Sequence, residues 1–205
     1  MDRIVAYMLS CRARDVVREQ TLERLAATDW AEPAVVVMDG VEAERAQERQ
    51  ERTARRLLER ARDDGAAFVL FLEDDLEFNA HLRHNLTRWQ PLCAAGPDGH
   101  LLGSLYDPGV AALEWDRARA YSVAHPELIY GSQALLLSRA TVARVLAGWD
   151  AVPGMQDIKI SRLAARDGPI HYHRPSLVQH VQVPSTWGGS LHWARDYSPH
   201  WISTA

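Results

Sequence analysis

Along the chain, short runs of apolar residues alternate with longer stretches that carry a single apolar stripe. Residues 3–9 are apolar almost throughout and read as a buried strand. Over residues 14–27, Val16, Val17, Leu22, Leu25 and Ala26 recur at roughly helical spacing, and the pattern breaks at 29–33. Residues 34–38 form a second, valine-rich strand closed by Asp39-Gly40. Residues 42–63 lack glycine and proline and line up Ala54, Leu57, Leu58 and Ala61 on one face. They also set Glu48 against Arg52, and Glu51 against Arg55, at i,i+4 spacing, which predicts a helix. The run 68–72, Phe-Val-Leu-Phe-Leu, has no polar position, as expected of a strand covered on both faces in a parallel sheet. It ends abruptly in Glu73-Asp74-Asp75.

The second half is less regular. The pattern predicts a helix over 80–89, a loop at 96–99 and a strand over 101–106. Residues 107–126 read as irregular with a short strand at 121–124. A further strand runs into Ser138, the N-cap of a helix over 139–147. A loop at 154–157 opens a helix through 165, and 170–183 are extended. Strand, helix, strand, helix, strand is the signature of a doubly wound α/β sheet, and a chain of 205 residues fits a single domain. Such sheets bind ligands beyond the carboxyl ends of their strands, where both Asp39 and the acidic triplet fall.

Composition narrows the classes. Hydrophobic residues make up 47% of the chain, enough for one sizeable core. The net charge of −4 does not favour nucleic acid as a partner, although it leaves room for a local basic groove. Lys159 is the only lysine, and its surroundings match neither a phosphate-binding loop nor a Schiff-base site. Cys11 and Cys93 are far apart and outside any Cys-x-x-Cys pair, so free thiols in a reducing compartment are expected. The first apolar run is too short for a secretion signal or a membrane span, and none elsewhere is long enough to span. The expectation is a cytoplasmic protein without a membrane anchor.

Three consecutive carboxylates at the end of a buried strand repel one another and lose solvation, so something positive must offset them. A divalent cation with oxygen ligands does this; a solvated acidic turn is the plainer alternative. In extended backbone Glu73 and Asp75 point to one side and Asp74 to the other. Asp39 reads as a partner for a nucleotide base or ribose, or as a simple turn former. Arg12 and Arg14 follow the first strand, within reach of a diphosphate. His171 and His173 share one side of an extended run, open to a metal or an acceptor but better read as a hydrated strand face.

The run 68–78, FVLFLEDDLEF, resembles the metal-binding LEDD variant of the DxD motif in GT-A glycosyltransferases. Residues 131–139, GSQALLLSR, resemble the acceptor-side segment of these enzymes, and 155–159, MQDIK, their element bearing the catalytic base. Residues 174–181, RPSLVQHV, with 184–188, PSTWG, are similar to the PSLxQHxG…SS motif of N-acetylglucosaminyltransferase IV-like enzymes and their bacterial relatives. One position departs: residue 182 is Gln where the motif has Gly.

The resemblance spans 68–188 and implies a GT-A type, mostly parallel sheet flanked by helices. It divides the chain into a nucleotide-binding half over 1–78, an acceptor and catalytic half over 79–184, and a tail or lid over 185–205. It implies a nucleotide-sugar donor, with a UDP-sugar favoured, and Mn2+ or Mg2+ held by Glu73, Asp75 and His180. Asp157 is then the general base of an inverting transfer to an acceptor hydroxyl. Arg52 and Arg12 fall to the nucleotide, Asp74 to the sugar or to the protein itself, and Trp187 to a segment closing over the donor. Two other classes compete: a non-catalytic module that binds a nucleotide or sugar, and a metal-dependent nucleotidyltransferase or hydrolase.

Overall fold

The computed structural model describes residues 3–40, 45–109, 120–124, 131–183 and 192–204. Strand β1 (Ile4–Ser10) lies between β2 (Val35–Met38) and β3 (Phe68–Leu72), parallel to both. The helices α1 (Asp15–Ala26) and α2 (Ala46–Asp63) make the crossovers. On the other side of β3, β7 (Ala134–Ser138) runs antiparallel, followed in space by β5 (Leu102–Ser104), β8 (Ile170–His173) and β6 (Tyr121–Ala124). Strands β2, β1, β3, β5 and β8 point one way, β7 and β6 the other. The mostly parallel α/β sheet expected from the sequence is therefore present. A separate ribbon pairs β4 (Leu76–Phe78) with β9 (Val178–His180), placing Leu76 opposite His180.

All of β3 is buried, as its apolar run requires, because helices cover both faces. On one face Tyr7, Val69, Phe71 and Leu135 pack against Leu57 and Leu58 of α2, together with α5 (Arg139–Gly148) and α6 (Gln156–Ala164). On the other, Met8, Leu70 and Leu136 pack against Leu25 of α1, Leu82 and Leu86 of α3 (Leu82–Thr87), and Leu92 of α4 (Gln90–Ala95).

Three local expectations are corrected. The stripe assigned to α1 does not face the core as a unit: Val16 is 67% exposed, while Thr21 and Leu25 are buried. The helix expected over 80–89 is shorter, and a second helix follows, because Pro91 favours the start of a helix over its middle. His173 lies not on a hydrated face but in the core, against Trp89 and Trp201. Ser138 caps α5 as expected, its hydroxyl accepting from Thr141 N.

Lys159 is structural. It is buried, donates to the carbonyls of Trp149 and Val152, and pairs with Glu51 of α2. Both cysteines are free. Among the described residues no helix is long and apolar enough to cross a membrane.

Candidate active site at the strand ends

The ends of β1, β2 and β3 open into one crevice lined by Ser10, Cys11, Arg14, Asp39, Gln50, Glu73 and Asp74. Its volume is about 40 Å3, room for an ion or a water molecule. Arg14 is one of its walls. A short 3-10 turn, Arg12–Arg14, brings its guanidinium back over the sheet, where Nε donates to Asp74 Oδ1 at 2.7 Å and an Nη to Asp75 Oδ2 at 2.5 Å. Arg12, on the same turn, is exposed, so of the two arginines flagged in the sequence Arg14 is the one at the triplet.

The triplet is held residue by residue. Asp74 is buried and also accepts from Ser10 Oγ at 2.5 Å. Thr21 of α1 fixes its backbone, donating to Asp74 O at 2.7 Å and accepting from Leu76 N. Burial raises the Asp74 pKa, only partly countered by Ser10 and Arg14. Asp75 is buried as well: Oδ2 meets both Arg14 and His180 Nε2, the latter at 3.0 Å, while Oδ1 has no hydrogen-bond partner among the described residues. Glu73 accepts from Ser132 Oγ at 2.7 Å, and burial together with the Asp75 charge lifts its pKa to about 7. Burial lowers the proton affinity of His180, and Asp75 more than reverses this, leaving its pKa above the ordinary value.

Opposite the triplet, α6 begins. Asp157 lies in its first turn, half-buried, with Oδ2 accepting from Gly131 N at 3.1 Å and Oδ1 from Ile158 N at 2.9 Å. Gly131 has a φ of 88°, a conformation open chiefly to glycine, and that lets the chain turn into the segment preceding β7. The next residue, Ser132, accepts from Gln156 Nε2 at 3.0 Å while donating to Glu73. The 131–133 segment therefore ties the start of α6 to the acidic triplet.

The predicted residues are thus mostly brought to one end of the sheet. Asp74 and Asp75 share Arg14, Asp75 pairs with His180, Glu73 feels the charges of Asp75 and His180, and Asp157 is linked to Glu73 through Gly131 and Ser132. Asp39 lines the crevice, with its carboxylate on Arg49 of α2 at 2.8 Å. Arg52 is exposed on α2, and the α2 residue lining the crevice is Gln50. Trp187 lies outside the described residues. The sequence reading missed Ser10, Thr21 and Ser132. Each is a small hydroxyl residue inside or beside an apolar element, a weak signal that only the fold turns into a contact.

Hard-cation chemistry fits this donor set. The unpartnered Asp75 Oδ1 is buried, His180 shares its other oxygen, and Glu73 would gain from a positive neighbour. Among the described residues no three His, Cys, Asp or Glu side chains form a ready-made ion cluster, so these ligands would have to draw together around an ion.

No protein-family model and no curated protein matches the chain. Among solved structures it is similar to CMP:2-keto-3-deoxy-manno-octonic acid synthetase complexed with CTP, at 13% identity and a TM-score of 0.47, covering 83% of this chain and 88% of that one. It is also similar to mannose-1-phosphate geranyltransferase from Thermus thermophilus, at 12% identity and a TM-score of 0.45, covering 83% and 73%. A third is a glycosyltransferase involved in the glycosylation of the major capsid of PBCV-1, at 11% identity and a TM-score of 0.37, covering 82% and 93%.

Proposed function

We propose that the chain is a metal-dependent glycosyltransferase that moves a sugar from a nucleotide-sugar, with a UDP-sugar favoured, to an acceptor hydroxyl. The observation that carries this reading is Asp75: a buried carboxylate with one oxygen unpartnered and the other shared by Arg14 and His180. The order of the LEDD, MQD and PSLVQH segments along the chain supports it. Glu73, Asp75 and His180 would hold Mn2+ or Mg2+, which neutralises the diphosphate leaving group. Arg14, which lines the crevice beside Asp74 and Asp75, would meet the donor phosphates. Asp39 and Gln50, which line the crevice, would meet the nucleoside. Asp157, set by two backbone N–H groups, takes the proton of the acceptor hydroxyl as it attacks, giving inversion in one displacement.

The test is nucleotide release from a panel of UDP-, GDP- and CMP-sugars with MnCl2, scored alongside the melting temperature. Asp75→Asn removes the Mn2+-dependent turnover. Asp157→Asn lowers turnover by about 100-fold or more while keeping the melting shift given by the nucleotide with Mn2+. A wild-type shift without turnover, unchanged in Asp157→Asn, would instead identify a binding module. Pyrophosphate release from a nucleoside triphosphate would identify a nucleotidyltransferase.

A further inference from the structure

Beside the acidic strand end, two buried polar groups have no partner and no role in the chemistry above. Tyr106 follows the end of β5 and is 2% exposed, yet its hydroxyl has no hydrogen-bond partner among the described residues. The backbone around it is fixed on both sides. Leu105 donates to Ala134 O at 3.0 Å and accepts from Leu177 N and Val178 N. Ala134 stands opposite Leu72, the residue before Glu73, and Val178 opens the strand that carries His180. Leu105 thus ties the chain just before Tyr106 to β7 on one side and to the start of the strand bearing the histidine on the other, and the phenol feels the charges of Asp75 and Glu73. After burial itself, the charges of Asp107, Asp75 and Glu73 push the phenol pKa up, so the hydroxyl keeps its proton and can donate it.

Gln156 is the second group. Its Nε2 donates to Ser132 Oγ, and the Ser132 hydroxyl in turn donates to Glu73. That chain fixes which way the amide points and leaves Oε1 buried without a donor. An unsatisfied buried polar group costs roughly 1–3 kcal/mol, and native proteins keep few of them. Two at one end of one sheet, one able to donate and one able only to accept, are complementary to a ligand offering both kinds of group. A phosphate only accepts, so it would leave Oε1 unmet. Neighbouring hydroxyls of a carbohydrate meet both.

Resting on the glycosyltransferase reading, we propose that Tyr106 and Gln156 form the subsite for the transferred sugar: Tyr106 donates to a sugar oxygen and Gln156 Oε1 accepts from a sugar hydroxyl. The test compares melting shifts, with MnCl2, for UDP, GDP and CMP against UDP-glucose, UDP-N-acetylglucosamine, GDP-mannose and CMP-sialic acid. In the wild type, one nucleotide-sugar stabilises beyond its nucleotide alone. In Tyr106→Phe the nucleotide shift stays and the extra shift from the sugar is lost, with nucleotide-sugar binding weaker by about 10-fold. The unliganded variant melts no lower than the wild type, which shows that it folds. Gln156→Met gives the same loss of the sugar increment. If Tyr106→Phe binds the nucleotide-sugar as tightly as the wild type, the subsite is overturned and the glycosyltransferase reading stands. If no nucleotide or nucleotide-sugar shifts the wild type, both fall together.

Discussion

Arg14 is the cation that allows Asp74 and Asp75 to stand buried side by side. Its side chain is 11% exposed and theirs 7% and 8%, so both ion pairs operate largely away from water. Removing one member of such a group leaves charge uncompensated, which costs more than the pair ever contributed. Arg14→Gln is therefore expected to lose roughly 3 kcal/mol of unfolding free energy in urea. Added MnCl2 restores part of the loss and stabilises the variant more than the wild type, because the freed carboxylates bind the ion only when folded. An unchanged unfolding midpoint would show that Arg14 is a surface ornament to the triplet. The position also shows where reading by residue type stops. Arg12 and Arg14 flank the same alanine and look alike in sequence, and only the 3-10 turn decides that Arg14 points inward and Arg12 outward. Tyr106 carried no signal at all, since an aromatic residue at the end of an apolar strand reads as core.

At the level of elements, the strands and caps were the legible part. The unbroken apolar run of β3 led directly to its burial on both faces, and Ser138 before a helical stretch led to the cap of α5. Less legible was any place where a polar residue does the packing. The stripe of α1 was drawn through Val16, whereas the inward face centres on Thr21, whose hydroxyl holds the backbone of the acidic triplet. Hydropathy cannot show this, because the partner is a carbonyl distant in sequence. The Ser138 cap offers a clean separation of stability from function. Its hydroxyl accepts from Thr141 N and Leu101 N and donates to Gly99 O at 2.6 Å, at the end of β7 away from the crevice. Ser138→Ala is expected to cost about 2 kcal/mol, from the lost cap and the buried groups left unpaired. Turnover and nucleotide binding below the melting temperature should match the wild type. A drop in activity without a drop in stability would mean that β7 transmits strain to the Ser132 end.

Across the whole molecule, the sheet's last strands and the segment 192–204 are joined by a buried polar and aromatic system that runs behind the site. Arg174 pairs with Asp107 at 2.6 Å and Asp196 at 3.0 Å, and donates through Nε to Ser122. Asn79 and Asn85 both hold the carbonyl of Trp201, whose ring stands against His173. His173 is 1% exposed; Nδ1 donates to Pro175 O at 2.7 Å, which leaves Nε2 as a buried acceptor with no partner among the described residues. Protonating Nε2 would place a cation between Trp89 and Trp201 with Arg174 nearby. Burial accordingly lowers the histidine's pKa from the ordinary 6.5 to about 4, despite opposing help from the Pro175 carbonyl and Asp196. The sign follows from linkage. Between these two values the unfolded chain takes up a proton that the folded chain refuses, so the contribution to stability is intact above pH 6.5 and is lost as pH falls toward 4. The loss approaches about 3 kcal/mol by pH 4. Other groups titrate over the same range, including Glu73 and Asp74 with the opposite sign, so the measurement is a difference: unfolding free energy against pH for the wild type and for His173→Asn, whose amide nitrogen takes the place of Nδ1 and can still donate to Pro175 O. The wild-type curve should fall more steeply between pH 6.5 and 4, the two converging or crossing at the acid end. Parallel curves would mean that the imidazole finds water or a partner on protonation, and that the joint between the sheet and the 192–204 segment is not a dry one.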